Sequence, residues 1–139
     1  MKKILYTLLL SIMLFYGCVL DRIERREVKI INKSKDTIYC LISYTNSIDN
    51  RYVKYDNYRL DRRFVDIDSS ANVYDKPRDW DTYISNSDDS KMRLFIISKD
   101  SINKYGFEEV VNKNIYTKVY KLDIEDLNKM NWTVTYEGK

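Results

Sequence analysis

A mainly β fold is what the sequence predicts: a β-rich α+β arrangement in which a single antiparallel β-sandwich-like domain carries one short helix before the last strands. Three observations predict it. A period of two places Ile38, Cys40, Ile42 and Tyr44 on one face of a strand and Tyr39, Leu41 and Ser43 on the other. Residues 94–97, Leu-Phe-Ile-Ile, form a continuous apolar run of the kind a central strand buries on both sides. The segments also follow the order strands, helical connection, strands, which suits an antiparallel sandwich better than a wound parallel sheet.

Taken in order, residues 27–45 read as two strands around a polar turn at Lys33 to Asp36, with Cys40 as a packing residue because free cysteine is usually buried. From Asn46 to Leu60 the pattern decays into Asn, Asp and Tyr, which favour a loop or irregular edge. Tyr52, Tyr55 and Tyr58 are spaced by three there. They are candidate partner contacts, a tyrosine platform for sugars or peptides, set against ordinary surface packing. Residues 62–70 form a short strand. Asp66 and Asp68, and the "SDDS" at 87–90, lack the central Gly and closing Glu of a calcium hand and read as solvated turns, so no metal is expected.

The stretch from Asn72 to Ile84 holds the only proline, Pro77, with Tyr74, Trp80 and Tyr83. It reads as a long connection whose Trp80 is either pinned to the core or presented to a partner; average Trp burial favours pinning, and Trp80 stays a candidate contact. Residues 92–100 are the strongest strand. Phe107, Val110, Val111 and Ile115 then approximate a helical stripe, with Ser101 as N-cap and Gly106 as a weak point. "IYTKVYKL" returns to strand, "DIEDLNKM" is a short helical turn capped by Asp123, and "WTVTY" closes the domain with Trp132 as a core anchor.

The chain opens on Met1-Lys2-Lys3 and runs apolar from Ile4 to Tyr16, the layout of a secretory signal peptide. As a helix those residues would rise about 20 Å, short of a bilayer's hydrocarbon core of about 30 Å. Phe15-Tyr16-Gly17-Cys18 resembles a bacterial lipobox, in which a small residue precedes a cysteine that is acylated before cleavage; Phe15 and Tyr16 stand where Leu and a small residue are usual. The expected organisation is therefore a signal peptide at 1–17, a lipidated Cys18 with a charged tether at 18–27, and a globular domain at 28–139. The competing reading is an uncleaved anchor from Ile4 to Leu20, and both readings tether the chain to a membrane.

Composition narrows the chemistry. Without Lys2 and Lys3, 22 basic side chains face 21 acidic ones, so the basic surplus of a nucleic-acid binder is missing. Three Gly and one Pro exclude a low-complexity chain. Histidine is absent, which excludes Ser-His-Asp and Cys-His catalytic pairs and leaves too few ligands for a dedicated zinc or copper site. With Cys18 acylated, Cys40 has no partner for an internal disulfide. No cofactor is expected.

"YKLDIEDLNKMNWTVTY" at 120–136, with "NKSKDTIYCLISYT" and "LFIISKDSINKYGFEEV", resembles a group of small Bacteroidetes-type lipoproteins that close on an Asp-Leu turn and an Asn-Trp-Thr-hydrophobic-x-Tyr strand. Asp126-Leu127 and Asn131-Trp132-Thr133 are the specific elements, and Glu137 stands where relatives often carry Pro. The resemblance implies an envelope location. It also makes Asp36-Thr37-Ile38 and Asp100-Ser101-Ile102 candidate O-glycosylation triplets at Thr37 and Ser101, against plain roles as a turn residue and a helix cap.

These readings converge on a membrane-anchored bacterial envelope lipoprotein, a non-enzymatic binding or accessory module for an envelope protein or glycan. Val19, where some lipoproteins carry an Asp that retains them at the inner membrane, makes the outer membrane the preferred site. The alternative is a carboxylate-dependent hydrolase acting on envelope or dietary glycans, chemistry that needs two carboxyl groups and no histidine.

Overall fold

A computed structural model describes residues 26–49, 51, 53, 64–73, 77 and 79–138. It is a mixed α/β structure whose described strands form two sheets. The smaller sheet has the order β4 (Ser70–Asn72), β1 (Lys29–Asn32), β7 (Thr133–Tyr136); the larger has the order β3 (Phe64–Val65), β2 (Ile38–Ser43), β5 (Met92–Ser98), β6 (Lys118–Leu122). Helices α1 (Trp80–Ser85), α2 (Lys99–Tyr105), α3 (Phe107–Asn112) and α4 (Ile124–Lys129) connect and cover them.

The apolar run at 92–97 explains the layering. Met92, Leu94 and Ile96 face a core shared with Ile38 and Ile42 of β2, Val28, Ile30, Val134 and Tyr136 of the small-sheet side, Trp80 and Ile84 of α1, and Leu127 of α4. Phe95 and Ile97 point the other way, into a second core with Tyr39, Leu41, Ile48, and Ile102, Phe107, Val110 and Val111 of α2 and α3. The larger sheet is thus covered by the smaller sheet with α1 and α4 on one side and by α2 and α3 on the other. The register pairs Cys40 with Ile96 and Leu41 with Phe95, as the alternation of β2 requires.

The turn after β1 is organised by Asn32, which is 0% exposed. Its Nδ2 donates to the carbonyls of Asp36 (2.8 Å), Val65 (2.9 Å) and Asp66 (3.2 Å), and its Oδ1 accepts from Ser34 N (3.0 Å) and Ser34 Oγ (2.7 Å). One buried amide, satisfied on both ends, therefore ties the smaller sheet to the edge of the larger.

Several expectations are corrected. The larger sheet is antiparallel, but β7 runs parallel to β1, pairing Thr133 with Lys29 and Tyr136 with Asn32. These strands come from opposite ends of the domain, so no hairpin imposes an antiparallel partner and a crossover permits the parallel one. The connection around Trp80 contains α1, started by Asp79, whose side chain accepts from Asp81 N at 3.1 Å and Thr82 Oγ1 at 2.5 Å. The single helical stripe is two helices. Gly106, at φ 79 and ψ 150, breaks it, and the N-cap is Ser98, whose Oγ accepts from Ser101 N at 3.1 Å. Ser101 lies inside the first turn because the helix begins at Lys99, directly off β5.

A Cβ at Gly106 would meet nothing within 4 Å, so only the backbone conformation demands glycine there. Gly106→Ala is therefore expected to destabilise the fold by about 1–3 kcal/mol in urea titration, as a side chain in that region of φ and ψ does. A gain in stability, as for Gly→Ala within a continuous helix, would contradict the break.

Candidate functional site

The smaller-sheet side carries a line of aromatic rings. Helix α1 brings Trp80 and Tyr83, three residues apart, to one face. Tyr83 meets Tyr44 edge-on at 6.1 Å and 87°, Trp80 meets Tyr83 at 6.1 Å and 80°, and Trp80 meets Trp132 at 5.3 Å and 63°. Each spacing lies in the range where edge-to-face pairs are favourable. A guanidinium stands over each end: Arg51 over Tyr44 at 5.4 Å and Arg26 over Trp132 at 5.5 Å. Arg51 also pairs with Asp49 at 2.6 Å, and that bond holds the Asp49 carboxyl below its ordinary range.

Within the line, Trp80 is pinned. It is 9% exposed and its Nε1 donates to the carbonyl of Arg26 at 2.8 Å. Tyr44 is 37% exposed and supplies the open end, while Trp132 and Tyr83 are half-buried. Trp132 is held in an uncommon backbone. Asn131 and Trp132 have φ of 49 and 58 in succession, and Trp132 N donates to the carbonyl of Leu127 at 2.8 Å, closing α4. A left-handed conformation costs a bulky residue about 1–3 kcal/mol. It is maintained by the ring's contacts and by Trp132 Nε1 donating to Asn128 Oδ1 at 3.0 Å.

The other predicted positions are placed as follows. Thr37 Oγ1 donates to Asp66 Oδ1 at 3.1 Å, and Ser101 Oγ lies 2.8 Å from Ser98 Oγ; both residues are half-buried. Ile38 pairs with Ser98, so the two triplets lie at the same end of the larger sheet. Cys18, Tyr52, Tyr55 and Tyr58 lie outside the described residues. Asp66 and Asp68 are exposed turn residues, with Asp68 paired to Lys33 at 3.1 Å. Among the described residues no group of three or more Cys, Asp or Glu side chains is placed to hold a metal, and no helix is long and apolar enough to cross a membrane.

The resolved carboxylate shifts have structural causes. Asp123 is held below its ordinary range first by the backbone N–H of Asp126, and Asp79 by the Thr82 hydroxyl; both are helix caps. Lys91, 3.4 Å from Asp123, is raised first by its own hydrogen bond to that carboxylate.

Arg93 was not singled out by the sequence patterns, although a charge inside an apolar strand run is itself a signal. It is 0% exposed. Its Nε and Nη2 donate to Asn46 Oδ1 at 3.1 and 2.7 Å, its Nη1 donates to the carbonyls of Asp88 at 2.5 Å and of Lys91, and its Nη2 pairs with Asp89 at 2.8 Å. Every face of the guanidinium is used internally, so Arg93 organises the 3₁₀ turn Asp88–Ser90 rather than offering itself to a ligand.

Comparison with protein-family models, curated proteins and solved structures found no match for the chain.

Cys40 packs against the first core; the residue is half-buried overall, and burial of its sulfur pushes the thiol up to about 12. An unfolded thiol ionises near 9, so between these values the unfolded chain releases a proton that the folded chain keeps. Stability is whole below pH 9 and falls as pH rises, by up to about 1.4 kcal/mol per pH unit. Urea titrations near pH 8 and pH 11 in a Cys18→Ala background test this: Cys40→Ala is expected to lose less stability across the interval than its parent, and equal losses would contradict the buried thiol.

Proposed function

We propose that this protein is a membrane-anchored bacterial envelope lipoprotein, cleaved before Cys18 and acylated there, whose β-sandwich-like domain acts as a non-enzymatic binding or accessory module. The observation that carries the reading is the junction at residues 4–27: an apolar run too short to span comfortably, then Gly17-Cys18, then the charged "DRIERRE". The resemblance of residues 120–136 to small Bacteroidetes-type lipoproteins supports it, and Val19 favours the outer membrane.

A binding role draws support from the line of aromatic rings. The exposed ring of Tyr44 under Arg51 offers a flat apolar face beside a cation, which suits a sugar ring or a peptide side chain of an envelope partner. Tyr52, Tyr55 and Tyr58 stay candidate partner contacts on the strength of their spacing in the sequence alone.

Intact mass and N-terminal peptide mapping of membrane-extracted protein test the reading. A chain starting at an acylated Cys18, with acylation and cleavage lost in Cys18→Ala, is the expected result. An intact, lipid-free Met1 end would overturn it.

A further inference from the structure

The described chain begins at Arg26, and the residues there are stitched down more densely than an ordinary chain entry requires. Trp80 Nε1 donates to the Arg26 carbonyl at 2.8 Å, Arg26 Nη1 donates to Asn128 Oδ1 at 3.0 Å, and the guanidinium stands 5.5 Å from the centre of the Trp132 ring. Asn72 Nδ2 donates to Glu27 Oε2 at 2.5 Å, Val28 is 0% exposed, and Lys29 N donates to the Trp132 carbonyl at 2.8 Å. Trp132 meets them from a left-handed backbone. Strand entry needs only the last of these bonds. The Arg26 contacts fix where the preceding chain leaves the domain.

We infer that this end of the domain, carrying Arg26, Trp132 and Asn128, is a lipid-facing surface, and that Arg26 is the clasp that holds it against the headgroup layer. The inference rests on acylation at Cys18. From Cys18 to Arg26 the chain has eight peptide steps, a reach of at most about 29 Å, which bounds how far the clasp can stand from an acylated Cys18. A half-buried Trp132 ring with its N–H at the rim, under an exposed guanidinium, is the combination that suits the boundary between acyl chains and phosphates. With the clasp, the chain leaves the domain beside Trp132 and Asn128, so this end is the one tethered most closely to the anchor.

The two tryptophans of the chain, Trp80 and Trp132, both lie in the clasp, so intrinsic fluorescence reports it. The mature acylated protein is reconstituted into phosphatidylcholine vesicles with and without lipid spin-labelled at the headgroup, and co-flotation is measured on the same samples. The expected result is strong quenching of the native protein by labelled lipid and loss of that quenching in Arg26→Ala, with flotation unchanged. Asn128→Ala, which removes the α4 side of the same contact, is expected to show the same loss while near-ultraviolet circular dichroism stays native. Equal quenching in native and variant proteins that float alike, or no quenching in the native protein, would overturn the lipid-facing surface alone. Native protein that fails to float would overturn the acylated anchor and this surface with it.

Discussion

Because the run from Met92 to Ile97 has no solvent-facing side, the elements around β5 are arranged to cover one or other of its faces. Leu94 and Ile96 take the smaller sheet, α1 and α4; Phe95 and Ile97 take α2 and α3. Each such side chain contributes about 1.5–3 kcal/mol when fully buried, so a single strand anchors two cores at once. The same two-sided burial creates a problem of register. A slip by one residue exchanges one apolar set for another, and hydrophobicity alone cannot forbid it.

Arg93 supplies the missing polarity. In the observed register it reaches the end of the helix-covered face, where Asn46, the carbonyls of Asp88 and Lys91, and Asp89 surround it. One position of slip would turn the guanidinium into the core between the sheets, where Ile30, Ile42 and Val134 offer no acceptor side chain. The cost of burying a charge without partners, several kcal/mol, then acts as a register lock. Asn32 plays the neutral counterpart at the start of the domain, and both are polar groups whose value lies in what they exclude.

Much of this was legible from the residues. The parity of Ile38 to Ser43, the central strand at 92–97, the cap at Asp123 and the closing strand all follow from local pattern, because each is set by neighbours in sequence. The parallel pairing of β7 with β1 was not, since it depends on where the two ends of the domain meet. Helix α1 was obscured by Pro77 and a cluster of aromatics, although Asp79 is an ordinary cap signal. The aromatic line joins Tyr44, Tyr83, Trp80 and Trp132 from three separate segments, and no spacing rule links them. Trp80 emerged as the pinned residue of that line, while Tyr83 and Trp132 are half-buried and Tyr44 carries the exposed ring.

A domain built this way hangs on its central strand, and the aromatic line along one side of it ends in Arg26 over Trp132 and Arg51 over Tyr44. The hold of that strand is open to direct measurement by native-state hydrogen exchange resolved to single amides. If β5 is the common support, the amides of Leu94 to Ile97 exchange only through global unfolding, with opening free energies equal to the total stability. Exchange of those amides through a cheaper local opening, while β1 and β7 remain protected, would contradict the central place given to β5.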